Sequence, residues 1–258
     1  MNTVVKPPFG AQLRYGHWST RGLVAYYPFT PAGNLVDFSM GRKHGVITNA
    51  AWVGDGLAFA ADTDEVNLGT SYFGIDQTQQ FTLVFSVKFT SFNDDVIFSR
   101  SVFNNPWRVM VDTSRLNFGT RTVTTDTDYS PFTGTLTAGR WYIFAYTFNN
   151  GIKNLYQDGL FVGTNTVAGA LVFDSTAHSF TFGQPYDNIY ISERFHLRDL
   201  KVYNRTLSAG EIRQLYLNPN LPIATFPWEL FAGQGGGAPP AGLTIPVAMH
   251  HYNQLRCA

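Results

Sequence analysis

The sequence predicts an all-β protein: an antiparallel two-sheet jelly-roll sandwich with one short C-terminal helix and extended terminal arms. Short alternating or wholly apolar runs recur along residues 21–217, separated by clusters of Gly, Asn, Asp and Thr. Asn-Gly and Asp-Gly pairs stand between neighbouring runs, where hairpin turns require positive φ. Hydrophobic residues make up 44% and aromatics 16% of the 258 residues, ample for a buried core, while charged residues are only 14%. That is well short of the roughly one quarter usual in globular chains, so part of the surface is expected to be covered by partners.

Leu23–Phe29 (LVAYYPF) opens the strand series and is stopped by Pro31 and Gly33. Gly56–Ala60 and Glu65–Leu68 flank the polar turn Asp62-Thr63-Asp64, in which Asp62 is expected to act as a cap, as is Asp37 in an earlier loop. In Phe81–Phe89 the residues Phe81, Leu83, Phe85, Val87 and Phe89 share one face. Thr82, Ser86 and Lys88 share the other, with Val84 the exception, which predicts a half-buried strand. Val96–Ser99, Arg108–Val111, Leu116–Arg121, Trp141–Phe148, Lys153–Gln157, Leu160–Thr164, Ser179–Gly183 and Leu197–Tyr203 continue the series. Asn149-Asn150-Gly151 and Asp158-Gly159 supply the hairpin turns. Trp141–Phe148 (WYIFAYTF) is apolar on both faces, so its second face must be covered by a loop, a terminal extension or another subunit. The helix begins at Ser208-Ala209-Gly210-Glu211, a capping box. Leu207, Ile212, Leu215 and Tyr216 form its docking stripe, and Pro219 and Pro222 end it.

This organisation divides the chain into an N-terminal arm (1–20), a sandwich (21–217) and an extended Pro/Gly-rich C-terminal arm (218–258). The second arm contains Gln234–Gly242 (QGGGAPPAG). Its Phe226, Trp228, Leu230 and Phe231 are candidate anchors on a neighbouring subunit, and Leu243–Val247 has the apolar character of an added edge strand. Lys plus Arg and Asp plus Glu are both 18, so the net charge is zero and no basic stripe marks a nucleic-acid site. A neutral chain also lacks the self-repulsion that keeps copies apart, so copies of itself are expected partners. The single cysteine, Cys257, excludes a disulfide within the chain. No run reaches the roughly 18 apolar residues that span a bilayer, so no membrane insertion is expected. Met1–Arg14 has no apolar signal segment, which predicts a chain made and kept in the cytosol until assembly or lysis.

Several segments together resemble the laminin-G-like domain of the concanavalin-A-like lectin/glucanase superfamily. They are Gly22–Phe29 (GLVAYYPF), Leu35–Gly45 (LVDFSMGRKHG), Leu57–Leu68 (LAFAADTDEVNL), Phe81–Lys88, Gly139–Gly159 (GRWYIFAYTFNNGIKNLYQDG) and Leu200–Tyr216 (LKVYNRTLSAGEIRQLY). Trp141 matches a core position of that family, and Ser86 stands near its usual Trp. Lys6–Gly22 (KPPFGAQLRYGHWSTRG) resembles the leader of laminin-G-like proteins encoded by tailed phages and prophages. That group often follows its last helix with "Y-x-N-P-W-x-L-F". Here Tyr216-Leu217-Asn218-Pro219 is separated by a spacer from Pro227-Trp228-Glu229-Leu230-Phe231.

The resemblance implies a lectin-like fold and raises the question of glycoside hydrolysis. Retaining members of the superfamily place carboxylates at alternate positions of one strand, so that all of them point into the cleft. The four glutamates here, Glu65, Glu193, Glu211 and Glu229, are scattered, and Asp62/Asp64/Glu65, Asp94/Asp95 and Asp126/Asp128 fall in turn-like sequence. No catalytic residue is therefore expected, and a glycoside hydrolase is a distant third reading. No metal ligand set stands out: His17, His44, His178, His196, His250 and His251 are scattered. No cofactor is required. Calcium is the one ion the resemblance leaves open, with Asp37 and Asp199 as ligands, although Arg198 stands where the family has a carboxylate. Sugar or partner contact falls to exposed aromatics beside polar side chains: Trp107 in one loop and Tyr186, Asn188 and Tyr190 in another. The expectation is a non-enzymatic virion protein of a phage, a capsid decoration or fibre-type component. Its partners would be other virion proteins, copies of itself and host surface glycan. The alternative is a soluble carbohydrate-binding lectin domain.

Overall fold

The computed structural model describes residues 11–30, 34–54, 56–70, 73–92, 95–99, 108–112, 115–124, 126–129, 135–173, 179–183 and 194–224. The strands are β1 (Leu23–Tyr27), β2 (Val46–Thr48), β3 (Ala51–Val53), β4 (Gly56–Phe59), β5 (Glu65–Asn67), β6 (Gln80–Phe89), β7 (Asp95–Ser99), β8 (Arg108–Asp112), β9 (Arg115–Arg121), β10 (Asp126–Tyr129), β11 (Trp141–Asn149), β12 (Ile152–Gln157), β13 (Leu160–Thr166), β14 (Thr181–Gly183) and β15 (Phe195–Tyr203). A one-turn helix α1 (Ile75–Thr78) precedes β6, and α2 (Ala209–Leu217) follows β15.

The strands form two antiparallel sheets packed as a jelly-roll sandwich. One runs β13-β12-β11-β6-β15-β4-β3, with β1 also beside β15; the other runs β10-β9-β8-β7-β14-β5-β2. β15 is long enough to pair with two strands end to end on its far side: Phe195–Leu197 with β4 and Leu200–Tyr203 with β1. Its register against β6 shifts between Leu197 and Asp199. At that irregularity β4 comes so close that a Cβ on Gly56 would lie 2.2 Å from the Leu197 carbonyl oxygen, so only glycine fits. The hairpin turns are as the sequence predicts. Asn150 (φ 46°) with Gly151 (φ 86°), and Asp158 (φ 51°) with Gly159 (φ 75°), both adopt the doubly positive φ of two-residue hairpins.

The core between the sheets takes the predicted face of β6, Phe81 through Phe89, with Tyr142, Phe144, Tyr146 and Phe148 of β11. From the other sheet come Val109, Val111, Leu116, Phe118, Phe98 and Phe182. The Phe118 and Tyr146 rings stack across the sandwich.

Three local expectations are corrected. First, β6 is not half-buried: Thr82, Val84 and Ser86 on its second face are as buried as the residues of its first. A second cluster covers that face, in which Val84 and Ala145 pack with Tyr26, Tyr203, Leu207, Ile212, Leu215, Leu13 and Ile223. The chain thus covers the outer side of β11 with its own helix and flanking segments. Second, the turn cap is Asp64, not Asp62. Its Oδ2 accepts from the Ala60 amide at 2.6 Å and the Ala61 amide at 3.1 Å, whereas Asp62 is exposed. Third, Asp126 and Asp128 lie in strand β10 and Asp95 in β7, not in turns, since hydrogen bonding to β9 and β8 overrides their weak strand propensity.

Residues 11–20 and 218–224 lie against the sandwich and against each other. Leu13 bridges Ile223, the Arg14 amide donates to the Pro222 carbonyl at 2.8 Å, and the Ala224 amide donates to Gln12 at 2.7 Å.

Candidate functional site

Two loops are held by dense hydrogen bonding, and they meet at a pocket. The first is Leu35–Gly45, closed by paired backbone bonds between its ends at 3.0 and 2.7 Å. At its centre Asp37 is wholly buried. Oδ1 accepts from the Tyr26 and Ser39 amides at 2.9 and 2.8 Å, and Oδ2 from the Lys43 amide and the Ser39 hydroxyl, both at 2.8 Å. A carboxylate with that many donors is a loop organiser, because each bond satisfies a backbone or hydroxyl group that would otherwise be stranded. Met40 sits in this loop, 78% exposed.

The second loop is Arg14–Gly22, and the closing segment Tyr203–Glu211 clamps it. The Tyr203 hydroxyl donates to the Ser19 carbonyl at 3.0 Å. Arg205 donates from Nε to the Arg21 carbonyl at 2.8 Å and from a terminal nitrogen to that of Trp18 at 3.1 Å. The same guanidinium grips Glu211 with both terminal nitrogens, at 2.8 and 3.2 Å. Glu211 in turn completes the predicted capping box with Ser208. Burial alone would raise the Glu211 carboxyl, but hydrogen bonds from Arg205 and from Ser208 hold it below its ordinary value. The helix cap and the loop are therefore one network with Arg205 at its centre.

Within the clamped loop the chain reverses at Gly16 (φ 79°), where the His17 amide donates to the Arg14 carbonyl at 3.1 Å. The turn places Tyr15 at its tip, 70% exposed. Between this segment and Met40 lies a pocket of about 290 Å³ lined by Leu13, Tyr15, Gly16, His17, Thr20, Arg21, Leu23 and Met40. Its floor is the buried pair Leu13 and Leu23, and Arg21 on its wall is exposed. His17 Nδ1 accepts from the Ser19 amide at 3.2 Å. Partial burial and the nearby Arg14 charge lower the His17 pKa, which favours the uncharged imidazole. The balanced total charge hides a local excess: residues 11–49 hold Arg14, Arg21, Arg42 and Lys43 against one carboxylate, the buried Asp37.

Two further clusters occupy the outer face. Trp141 is half-buried there rather than in the core. Arg198 lies over its ring at 4.2 Å, Lys88 at 5.1 Å, and His196 meets it edge-on at 6.5 Å. The parity of β11 dictates this, since Tyr142 and Phe144 point inward. Further along β15, the buried Lys201 ammonium forms an ion pair with Asp199 and lies 4.6 Å from the Tyr26 ring. Burial lowers the Lys201 pKa, and Asp199 opposes that shift. Neither Asp37 nor Asp199 fits a calcium ion, which takes six to eight oxygens. The first carboxylate is committed to amides and a hydroxyl, and the second to an ammonium. Among the described residues no group of three His, Cys, Asp or Glu is placed to hold a metal, and no helix is long and apolar enough to cross a membrane.

Trp107, Tyr186, Asn188 and Tyr190, and the anchors Phe226, Trp228, Leu230 and Phe231, lie outside the described residues. Sequence reasoning missed Tyr15, Arg21 and Met40. The usable signal was a Tyr-Gly turn within a stretch that has four cationic side chains and one carboxylate.

No curated protein matches the chain. Among solved structures, the Trypanosoma rangeli sialidase superposes with a TM-score of 0.58 at 18% identity, over 78% of this chain and 33% of its own. The botulinum neurotoxin type G receptor-binding domain superposes at 0.59 with 12% identity, over 76% and 51%. The corresponding domain of the botulinum neurotoxin C/D mosaic serotype gives 0.60 with 14% identity, over 76% and 51%. The chain thus spans a third to a half of the length of these structures, and the likeness is one of fold. The laminin-G model of the concanavalin A-like lectin/glucanases superfamily matches residues 60–213. Together with the two sheets and the clamped closing segment, this match shows that the chain belongs to the laminin-G-like family of the concanavalin A-like lectin/glucanase superfamily.

Proposed function

We propose that this protein is a non-enzymatic structural component of a tailed-phage virion, a capsid decoration or fibre-type protein. Its lectin-like sandwich presents a surface to neighbouring virion proteins, to copies of itself and to host glycan. The observation that carries the assembling role is the edge strand β13. It reads Leu-Phe-Val-Gly-Thr-Asn-Thr, with no charge and no proline, and exposes Leu160 (62%) and Phe161 (56%). Free edges are normally blunted by Lys, Pro, a bulge or short length; β13 has one register shift, opposite Leu155 and Tyr156, but no charge or proline along its seven residues, which leaves it open to strand pairing. A second copy brought antiparallel to it meets no like charge.

The commitments of four carboxylates support the non-enzymatic reading. Asp37, Asp64, Asp199 and Glu211 are each committed to amides or cations that organise the fold. The leader-like Lys6–Gly22 and the scarcity of charge support the virion setting. The same fold serves in the receptor-binding domain of botulinum neurotoxin type G, which fits a role in presenting a binding surface.

Antibody labelling of purified particles, read by electron microscopy, tests the proposal together with Phe161→Asp. Label is expected at regular positions on the particle, and the variant is expected to stay folded and to lose self-association in light scattering. Particles that carry no label, or a variant that associates as before, would overturn it. Truncation to test the C-terminal arm should begin at residue 225, since Ile223 is part of the packed cluster.

A further inference from the structure

We propose that the pocket between Arg14–Arg21 and Met40 binds an acidic saccharide unit: a pyranose ring laid against Tyr15 and Met40, with its carboxylate held by Arg21. The inference rests on the glycan-presenting part of the proposed function and gives it a site and a ligand class.

Size limits the ligand first. A volume of about 290 Å³ lies at the small end of ligand sites, enough for one sugar ring and too small for an extended chain to be enclosed. The lining then sets the chemistry. Leu13 and Leu23 make an apolar floor, and Tyr15 and Met40 present a ring and a thioether to solvent. Together they leave apolar area open beside the pocket, area that a ligand with an apolar face would cover. A pyranose suits them, because its axial C–H bonds form an apolar face while its hydroxyls remain at the wet rim. A wholly apolar ligand would cover the Arg21 guanidinium without offering it a partner.

Charge selects the acid. The pocket is lined by Arg21 and contains no carboxylate, and Arg14 is close enough to depress the His17 pKa. The nearest carboxylate in the paired loop, Asp37, is wholly buried among its donors and offers the guanidinium no counter-ion. A guanidinium recognises a carboxylate through two parallel N–H donors, which fixes orientation as well as charge.

Preorganisation completes the argument. Asp37 rigidifies one wall through amide bonds. Arg205 rigidifies the other through the Trp18 and Arg21 carbonyls. A site held this way loses little conformational entropy when a weak ligand binds.

The test is titration of the full chain, followed by NMR, with glucuronic, galacturonic and N-acetylneuraminic acids, with glucose and galactose as neutral counterparts, and with inorganic phosphate. At least one sugar acid is expected to saturate with a Kd on the order of 1 mM, about tenfold tighter than its neutral counterpart. Arg21→Gln is expected to remove that preference, and Tyr15→Ala to weaken sugar acids by about fivefold without affecting phosphate. Both side chains are exposed, so unfolding curves should be unchanged, which separates lost binding from lost fold. Equal binding of acid and neutral sugars, no saturation by any sugar acid, or unaltered binding in Arg21→Gln would each overturn the proposal. So would phosphate binding as tightly as the sugar acids, which would make this a plain anion site. Particle incorporation of Arg21→Gln is measured in parallel. Normal incorporation with lost sugar binding is the expected result. Failed incorporation of the wild-type chain would count against the virion role alone.

Discussion

The two faces of the eight-stranded sheet are buried by different chemistry. The inner face is aromatic and aliphatic, with Phe81, Phe85, Phe144 and Tyr146 meeting the opposite sheet. The outer face is nearly as closed along β6 but carries Thr82, Ser86, Asp199, Lys201 and the cation-flanked Trp141. The first face defines the sandwich. The second attaches things to it: Thr82 Oγ1 accepts from the Leu207 amide at 2.9 Å and the Tyr203 hydroxyl reaches the Ser19 carbonyl, so helix and loop are fixed by polar bonds to the sheet. A non-directional core can fill a volume, but positioning a pocket wall needs directional bonds.

If that contrast is right, truncation on the inner face should be the most damaging change. Phe144→Ala should cost about 3–5 kcal/mol in urea unfolding, since it leaves a cavity between two sheets that cannot collapse onto each other. The loop positions, read from amide protection of residues 14–22, should be retained in the folded fraction. A loss under 1 kcal/mol, on the order of an exposed site, would mean that the sheets are loosely packed.

The outer face should respond differently to one change and to two. Asp199→Ala leaves the Lys201 ammonium buried without its carboxylate and should cost about 3 kcal/mol. Adding Lys201→Met to that background should restore most of the loss, because both desolvation costs then disappear. Equal damage from single and double variants would show that the pair holds the face together by more than mutual compensation.

How much of this was legible in the sequence follows the same division. Period-two patterning of Phe81–Phe89, the Asn150-Gly151 and Asp158-Gly159 turns and the Ser208–Glu211 box are local, and each appears in the structure where its residues dictate. The second face of β6 was misread because its cover is distant in sequence. Ser19 and Tyr203 are 184 residues apart, and no periodicity within Phe81–Phe89 announces a helix at Ala209. Asp64 rather than Asp62 caps its turn for a similar reason: both fit the composition, and only the backbone path decides which carboxylate reaches the Ala60 and Ala61 amides. The pocket was missed because residues 11–20 carry no strand or helix pattern. Their order comes from Arg205, which sequence spacing shows only as part of a closing motif.

The smallest expected effect tests the joint between helix and loop. Ser208→Ala removes one side of the capping box and should cost about 1 kcal/mol. Glu211 serves both the cap and Arg205, so Glu211→Gln should show a pH signature that Ser208→Ala lacks. The folded chain holds this carboxyl below its ordinary value of 4.5, so the unfolded chain takes up the proton first as pH falls. The stabilisation is complete above the ordinary carboxylate range and is lost as pH drops through the lower folded value. Wild type and Glu211→Gln should therefore differ at neutral pH and converge as pH falls through the lowered folded value. Ser208→Ala should keep part of its deficit there, because the Glu211 amide still lacks its hydroxyl acceptor. A difference between wild type and Glu211→Gln that stays constant from neutral to acid pH would mean that the charge of Glu211 is not what binds Arg205, and that the loop is clamped by the two carbonyl contacts alone.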